Sequence, residues 1–155
     1  MAANALREMR EEEGAAVTTV LEEQVGRITG LRDKIDANEA RLPESVSKRL
    51  GKQVSRLLEA QSDLDGDRLY QEAVILAAKA DLQEELDRLA VHVDSARKIL
   101  SGNGPAGRKL DFLAQEFNRE CNTICSKSNS AEVTSLGLDM KLLIDQFREQ
   151  VQNLE

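Results

Sequence analysis

The chain has 155 residues, a formal net charge of −7, 32% charged side chains, only 3% aromatics and no tryptophan. That acidic balance argues against a surface that coats nucleic acid by charge alone. A core without large rings must be aliphatic. With only two prolines, the composition predicts one domain, or part of a larger protein, built from long, solvent-laced helices.

The first predicted helix runs from about Asn4 to Asn38. Val17, Leu21, Gln24, Ile28, Leu31 and Ile35 recur at alternating four- and three-residue steps, a seam for packing on another helix. Gly14, Gly26 and Gly30 weaken it, and Glu11 to Glu13 reads as a solvated turn near its start. Pro43 opens the second helix, which extends to about Ser62 with Val46, Leu50, Val54, Leu57 and Leu58 at helical spacing. The cluster from Ser62 to Asp67 superficially suggests a calcium loop. Val74 stands where such a loop closes with glutamate, so the cluster reads as a turn ending in a helix N-cap.

A single long helix is expected from Asp67 to Leu100, with Leu82, Leu86, Leu89, Val93, Ala96 and Leu100 as its seam. Asp81, Glu85, Arg88 and His92 lie beside that seam, at the edge of the core where side chains are partly dried. His92 is the chain's one histidine. Residues 101–107, SGNGPAG, form a flexible connector that lets the flanking helices pair antiparallel.

From Arg108 to Lys127 the apolar side is Leu110, Leu113, Phe117, Cys121 and Ile124. The other side carries Arg108, Asp111, Gln115, Asn118, Arg119, Asn122 and Ser126. A helix face meeting only water favours lysine, glutamate and alanine, so a face rich in arginine, asparagine and serine points to contacts. Between Arg97 and Lys127 there are six basic residues and three acids, a local basic excess on an acidic body. Cys121 and Cys125 sit one turn apart, a poor geometry for a disulfide, and read as reduced packing residues. Ser128 to Ser130 ends this helix and caps the last, about Ala131 to Asn153. That helix buries Val133, Leu136, Met140, Leu143, Phe147, Val151 and Leu154 and leaves Leu138 and Leu142 as a second small strip. The longest apolar run, Ala73 to Ala78, is too short to span a bilayer, and no signal peptide is visible, so a cytoplasmic location is expected.

Two constellations could carry chemistry. Glu85, His92, Glu116 and Glu120 offer carboxylates and an imidazole, a donor set for Mn²⁺ or Mg²⁺ and for phosphodiester hydrolysis, with His92 as acid or base. The competing reading is an ion-pair network in which Lys109 and Lys127 neutralise Glu116 and Glu120. Arg108, Lys109, Arg119 and Lys127, beside the glycine-rich turn, suit phosphate. No P-loop, dinucleotide fingerprint, CxxC, HExxH or serine-triad signature is present, and no aromatic stacking platform stands out.

Several stretches carry a resemblance. Glu84-Glu85-Leu86-Asp87-Arg88-Leu89 followed by His92, then Gly107-Arg108-Lys109-Leu110-Asp111-Phe112, Gln115-Glu116-Phe117-Asn118-Arg119-Glu120 and Asn122-Thr123-Ile124-Cys125-Ser126-Lys127-Ser128 resemble the YicC/YloC family. The opening Met9-Arg10-Glu11-Glu12-Glu13-Gly14 and the ending from Lys141 to Asn153 are similar to it too. The likeness is to the C-terminal helical part of such proteins, without their N-terminal domain. It implies a bacterial, cytoplasmic, stress-associated endoribonuclease that depends on a divalent cation (Mn²⁺ or Mg²⁺) and assembles as a hexamer around RNA. It marks Glu85, Arg88, His92, Arg108, Asp111, Gln115, Glu116, Arg119 and Glu120 as the positions that matter.

The expectation is therefore an all-α fold of about five helices in long antiparallel, coiled-coil-like hairpins. A two-helix arm occupies 1–64, and a motif-bearing region of three helices occupies 65–155. The predicted catalytic residues are His92, Glu116 and Glu120; metal would fall to Glu85, Glu116 and Glu120. RNA would be held by Arg88, Arg108, Lys109, Gln115, Arg119 and Lys127. Two other readings remain: a non-catalytic, oligomerising RNA adaptor that works with another ribonuclease, and a structural arm. The structural arm requires His92, Glu116 and Arg119 to lie far apart.

Overall fold

A computed structural model describes residues 1–60 and 65–154, apart from the side chains of Lys79 and Ala80. The calcium-like cluster falls partly outside these residues, at Ser62, Asp63 and Leu64, as does the boundary drawn at 64/65. The described chain is all α. Helix α1 spans Ala2–Asp36, α2 Pro43–Ala60, α3 Gly66–Ala80, α4 Gln83–Ser101, α5 Gly107–Lys127 and α6 Ala131–Val151, with a 3-10 turn at Glu39–Arg41.

Helices α1, α4, α5 and α6 make one four-helix bundle in which α1 and α5 each pack against α4 and α6. Neighbours run antiparallel. Arg32 Nε donates to Leu86 O at 2.9 Å and Arg97 reaches Thr29 at 3.4 Å, so α1 ascends as α4 descends. On α5 and α6, Lys141 Nζ donates to Asn122 Oδ1 (3.0 Å) and Arg148 Nε to Asp111 Oδ1 (3.1 Å). The core is the aliphatic seam that the heptad-like spacing predicts: Leu82, the five seam residues of α4 that follow it and all five apolar positions of α5 are buried. Phe117 and Phe147 meet edge-to-face at 5.8 Å across its centre.

Close approach of α5 to α6 depends on Gly137. A Cβ there would sit 2.6 Å from Cys125 Sγ, and Cys121 Sγ donates to the Gly137 carbonyl at 3.0 Å. Ser130 caps α6, its hydroxyl accepting from Val133 N–H at 3.4 Å.

The helix expected to run unbroken from Asp67 to Leu100 is instead two helices, parted at Asp81 and Leu82. Asp81 is extended (φ −83°, ψ 117°), and its carboxylate accepts from Gln83 N–H at 2.9 Å. A short polar side chain that satisfies its own backbone competes with helix continuation. Glu84 and Glu85, in the first turn of α4, then suit the positive end of the new helix. Leu82, at the break, is buried in the core.

Helices α2 and α3 pack against each other. Val46, Leu50 and Val54 are half-buried, as are Leu69, Ala73 and Leu76, so one stripe from each helix makes the contact. Among the described residues of α2 none is fully buried, and Leu57 and Leu58 face solvent. Arg41 ties the 3-10 turn to the bundle, donating to Gln83 Oε1 at 2.9 Å and pairing with Asp36.

Candidate metal centre and its flanks

The α4–α5 seam gathers most of the charged residues singled out by the sequence. Because the helices are antiparallel, residues ascending α4 meet residues descending α5. Glu85 faces Lys127, Arg88 faces Glu120 and His92 faces Glu116. Next along, Ser95 and Ile99 meet Arg108, Lys109, Phe112 and Leu113 around an open groove of about 400 Å³.

At the first end, Glu85 is only 2% exposed. Its Oε1 accepts from Lys127 Nζ at 2.7 Å and lies 3.6 Å from Arg88 Nη2. Glu120 is equally buried, and its Oε1 accepts from Arg88 Nε at 2.8 Å. Arg88 also pairs with Glu84, so one guanidinium is shared by three carboxylates. Its pKa is raised above the usual guanidinium value, chiefly by the hydrogen bond to Glu120, with partial burial opposing and Glu84 adding to the rise. The cation is therefore fixed, and it offsets the charge of two buried acids.

At the middle, His92 and Glu116 are half-buried, with Nε2 and Oε2 3.9 Å apart. Phe117 presents its ring to the imidazole edge-to-face, centroids 6.3 Å apart, which helps fix the ring's orientation. One donor atom from each of His92, Glu116 and Glu120 falls within 4.8 Å of the other two. Three buried polar atoms along the seam, Glu85 Oε2, His92 Nε2 and Glu120 Oε2, have no hydrogen-bond partner among the described residues. Buried polar atoms are rarely left so, since each costs about 1–3 kcal/mol.

This donor set fits a divalent cation. Two donors on one ion at about 2.1 Å are at most about 4.2 Å apart, so small side-chain adjustments would bring all three into one coordination sphere. An imidazole with two carboxylates suits Mn²⁺ better than Mg²⁺, which prefers oxygen donors and retained water. Glu85 stands one step outside this trio, its other oxygen occupied by Lys127.

The remaining expected residues divide. Lys127 and Arg88 are engaged by carboxylates of the seam. Gln115 Nε2 donates to Asp111 Oδ2 at 3.1 Å, and Asp111 is also held by Arg148, so this pair faces α6 rather than the trio. Arg108, Lys109 and Arg119 are exposed and form no ion pair among the described residues. Neutralisation of Glu116 and Glu120 by Lys109 and Lys127 along their own helix does not occur: Glu120 takes its cation from α4, and Lys127 gives its charge to α4. Of the three residues that a purely structural arm requires to lie far apart, His92 and Glu116 adjoin. Phe112 falls within one of the family motifs but is given no role in the sequence reading. It is 59% exposed, one position off the apolar stripe of α5, where a helical projection would have placed it in water.

Residues 35–155 match the model of a protein family described as "Endoribonuclease YicC-like, C-terminal". The chain is 40% identical over 147 residues to a protein of Haemophilus influenzae named "Probable endoribonuclease YicC", an overlap covering 95% of this chain and 50% of that protein. It is 35% identical over 150 residues to a Clostridioides difficile protein of the same name, covering 97% of this chain and 51% of the relative. The chain thus spans about half the length of the curated relatives it matches. Among the described residues no helix is long and apolar enough to cross a membrane.

Proposed function

The chain belongs to the YicC-like endoribonuclease family, matching its C-terminal part, and on that premise we propose that it carries the metal-binding half of an enzyme that hydrolyses RNA phosphodiester bonds. The observation that supports this best is the convergence of His92, Glu116 and Glu120, two of them with buried atoms that no group among the described residues satisfies. When bound, a divalent cation supplies positive charge to a phosphate oxygen and lowers the pKa of a bound water.

In this reading His92, Glu116 and Glu120 hold the ion. Arg88 keeps Glu120 in place from α4, and Lys127 anchors Glu85 at the neighbouring position. Arg119, exposed and without an ion-pair partner among the described residues, would bind the phosphodiester in this reading. The family names of the relatives point to RNA as substrate. A cytoplasmic, stress-associated, oligomeric protein completes the proposal.

The test is cleavage of a labelled RNA by the complete protein in Mn²⁺. We expect cleavage that a chelator stops and that Glu116→Gln and His92→Ala each lower by at least about a hundredfold. RNA binding with no chelator-sensitive cleavage would instead make the protein an adaptor for another ribonuclease.

A further inference from the structure

The groove at the far end of the α4–α5 seam is not used by the metal centre, and its composition is unusual for this acidic chain. Arg108 and Lys109 stand in the first turn of α5, where no acid is present. Cations there face the positive end of the helix dipole, an arrangement that disfavours them unless an anion shares the site. Asp111, the nearest carboxylate in sequence, is already taken by Arg148. Phe112, largely exposed to solvent, lines the same groove as the two cations and Ser95, Ile99 and Leu113.

From Phe112 to Glu116 is four residues, about 6 Å along the helix axis. Arg108, Phe112 and Arg119 follow at four- and seven-residue intervals, forming an exposed stripe beside the one that holds Lys109, Glu116 and Glu120. A flat apolar face, two cations without an ion-pair partner among the described residues and a candidate metal centre one helical turn away match the parts of a single nucleotide. The ring can stack a base, and the cations can meet its phosphate.

We propose that this groove is a base-stacking subsite for single-stranded RNA. Phe112 stacks one unpaired base, Arg108 and Lys109 bind its backbone phosphate, and the adjoining phosphodiester lies toward His92, Glu116 and Glu120. A duplex cannot use it, because its bases are already stacked and paired. The subsite rests on the nuclease reading for its orientation, but its binding can be measured without cleavage.

The experiment is fluorescence anisotropy on the full chain, in chelator, with two labelled probes. One is a short unstructured oligoribonucleotide, and the other is an abasic oligomer of the same length. The base-bearing probe should bind about tenfold more tightly than the abasic one. Phe112→Leu, which keeps an apolar side chain at an exposed position, should bring that ratio to about one. Arg108→Gln with Lys109→Gln should weaken both probes alike and flatten the dependence of log affinity on log salt by about 0.7 per lost phosphate contact. An unchanged ratio in Phe112→Leu, or no binding of either probe by the folded chain, overturns the subsite. Failure of chelator-sensitive cleavage in the complete protein, with the ratio intact, would remove the nuclease reading and leave this binding site standing.

Discussion

Arg88 Nε donates to Glu120 Oε1 across 2.8 Å, joining α4 to α5 beneath the candidate metal centre. Arg88 is itself partly open to solvent while Glu120 is buried, so the two ends of this contact have unequal consequences. Losing the guanidinium strands a buried charge, whereas losing both partners removes the problem with the contact.

Arg88→Met should therefore destabilise the chain by about 2–3 kcal/mol, and Arg88→Met with Glu120→Gln by clearly less. Urea unfolding of the two variants and the parent, all in chelator, gives the comparison. A double variant as unstable as the single one would show that the pair does not act as a unit.

Metal should stabilise the fold. Mn²⁺ at about a hundredfold above its Kd should raise the unfolding free energy by about 2.7 kcal/mol, and chelator should reverse the gain. Thermal melts of His92→Ala and Glu116→Gln should show little response to the ion. A full response in both variants would place the ion elsewhere.

Gly137→Ala brings a methyl group against Cys125 Sγ. We expect a loss of about 1–3 kcal/mol from overpacking at the α5–α6 contact. With Cys125→Ala already in place, the same change should be neutral or stabilising, since alanine is the better helix former by up to about 1 kcal/mol. Denaturation midpoints of the four chains would reveal whether the sign turns.

Burial pushes the Cys121 thiol up from 9.0 to about 12, with Cys125 adding to the rise. The folded state therefore keeps its proton in a range where the unfolded chain gives it up. Below pH 9 this group makes stability independent of pH. Between pH 9 and 12 stability should fall by up to about 1.4 kcal/mol per pH unit from this group alone. Cys121→Ala should shift the whole curve down through its cavity and flatten that alkaline slope; equal slopes would place the thiol outside the core.

The bundle was largely legible before any coordinates, because periodicity reports directly on which side chains face inward. Leu86, Leu89, Val93, Ala96 and Leu100 form the α4 seam as spaced, with Leu82 continuing it across the break, and Leu110 through Ile124 do the same on α5. The break at Asp81 was not legible, since the apolar rhythm continues across it and only the hydrogen bond from Gln83 N–H to the Asp81 carboxylate marks the stop. His92, Glu116 and Glu120 were marked by residue type and by family resemblance. Their convergence, however, depends on the register of two helices joined by a glycine-rich link. The burial of Glu120 lay beyond sequence reading, and Glu85 goes deeper than the core edge its spacing indicates, because each carboxylate meets a cation from the facing helix. For Glu120 that cation is 32 residues away, and for Glu85 it is 42. Phe112 was hidden by its chemistry: an aromatic residue suggests core, although its angular position here is solvent.

The link at residues 102–106 joins α4 and α5 at the groove end, so cross-helix partners grow more remote in sequence with each turn toward Lys127. Loop closure favours the nearest partners first, which makes the hairpin a zipper that starts at the nucleotide groove and finishes at Glu85. Opening in the native protein should run the other way. Amide exchange should be slowest near Ala96 and Leu113, at the groove end, and quickest around Glu85 and Lys127. The trio of His92, Glu116 and Glu120, midway along, is then guarded by a latch that can release without dismantling it.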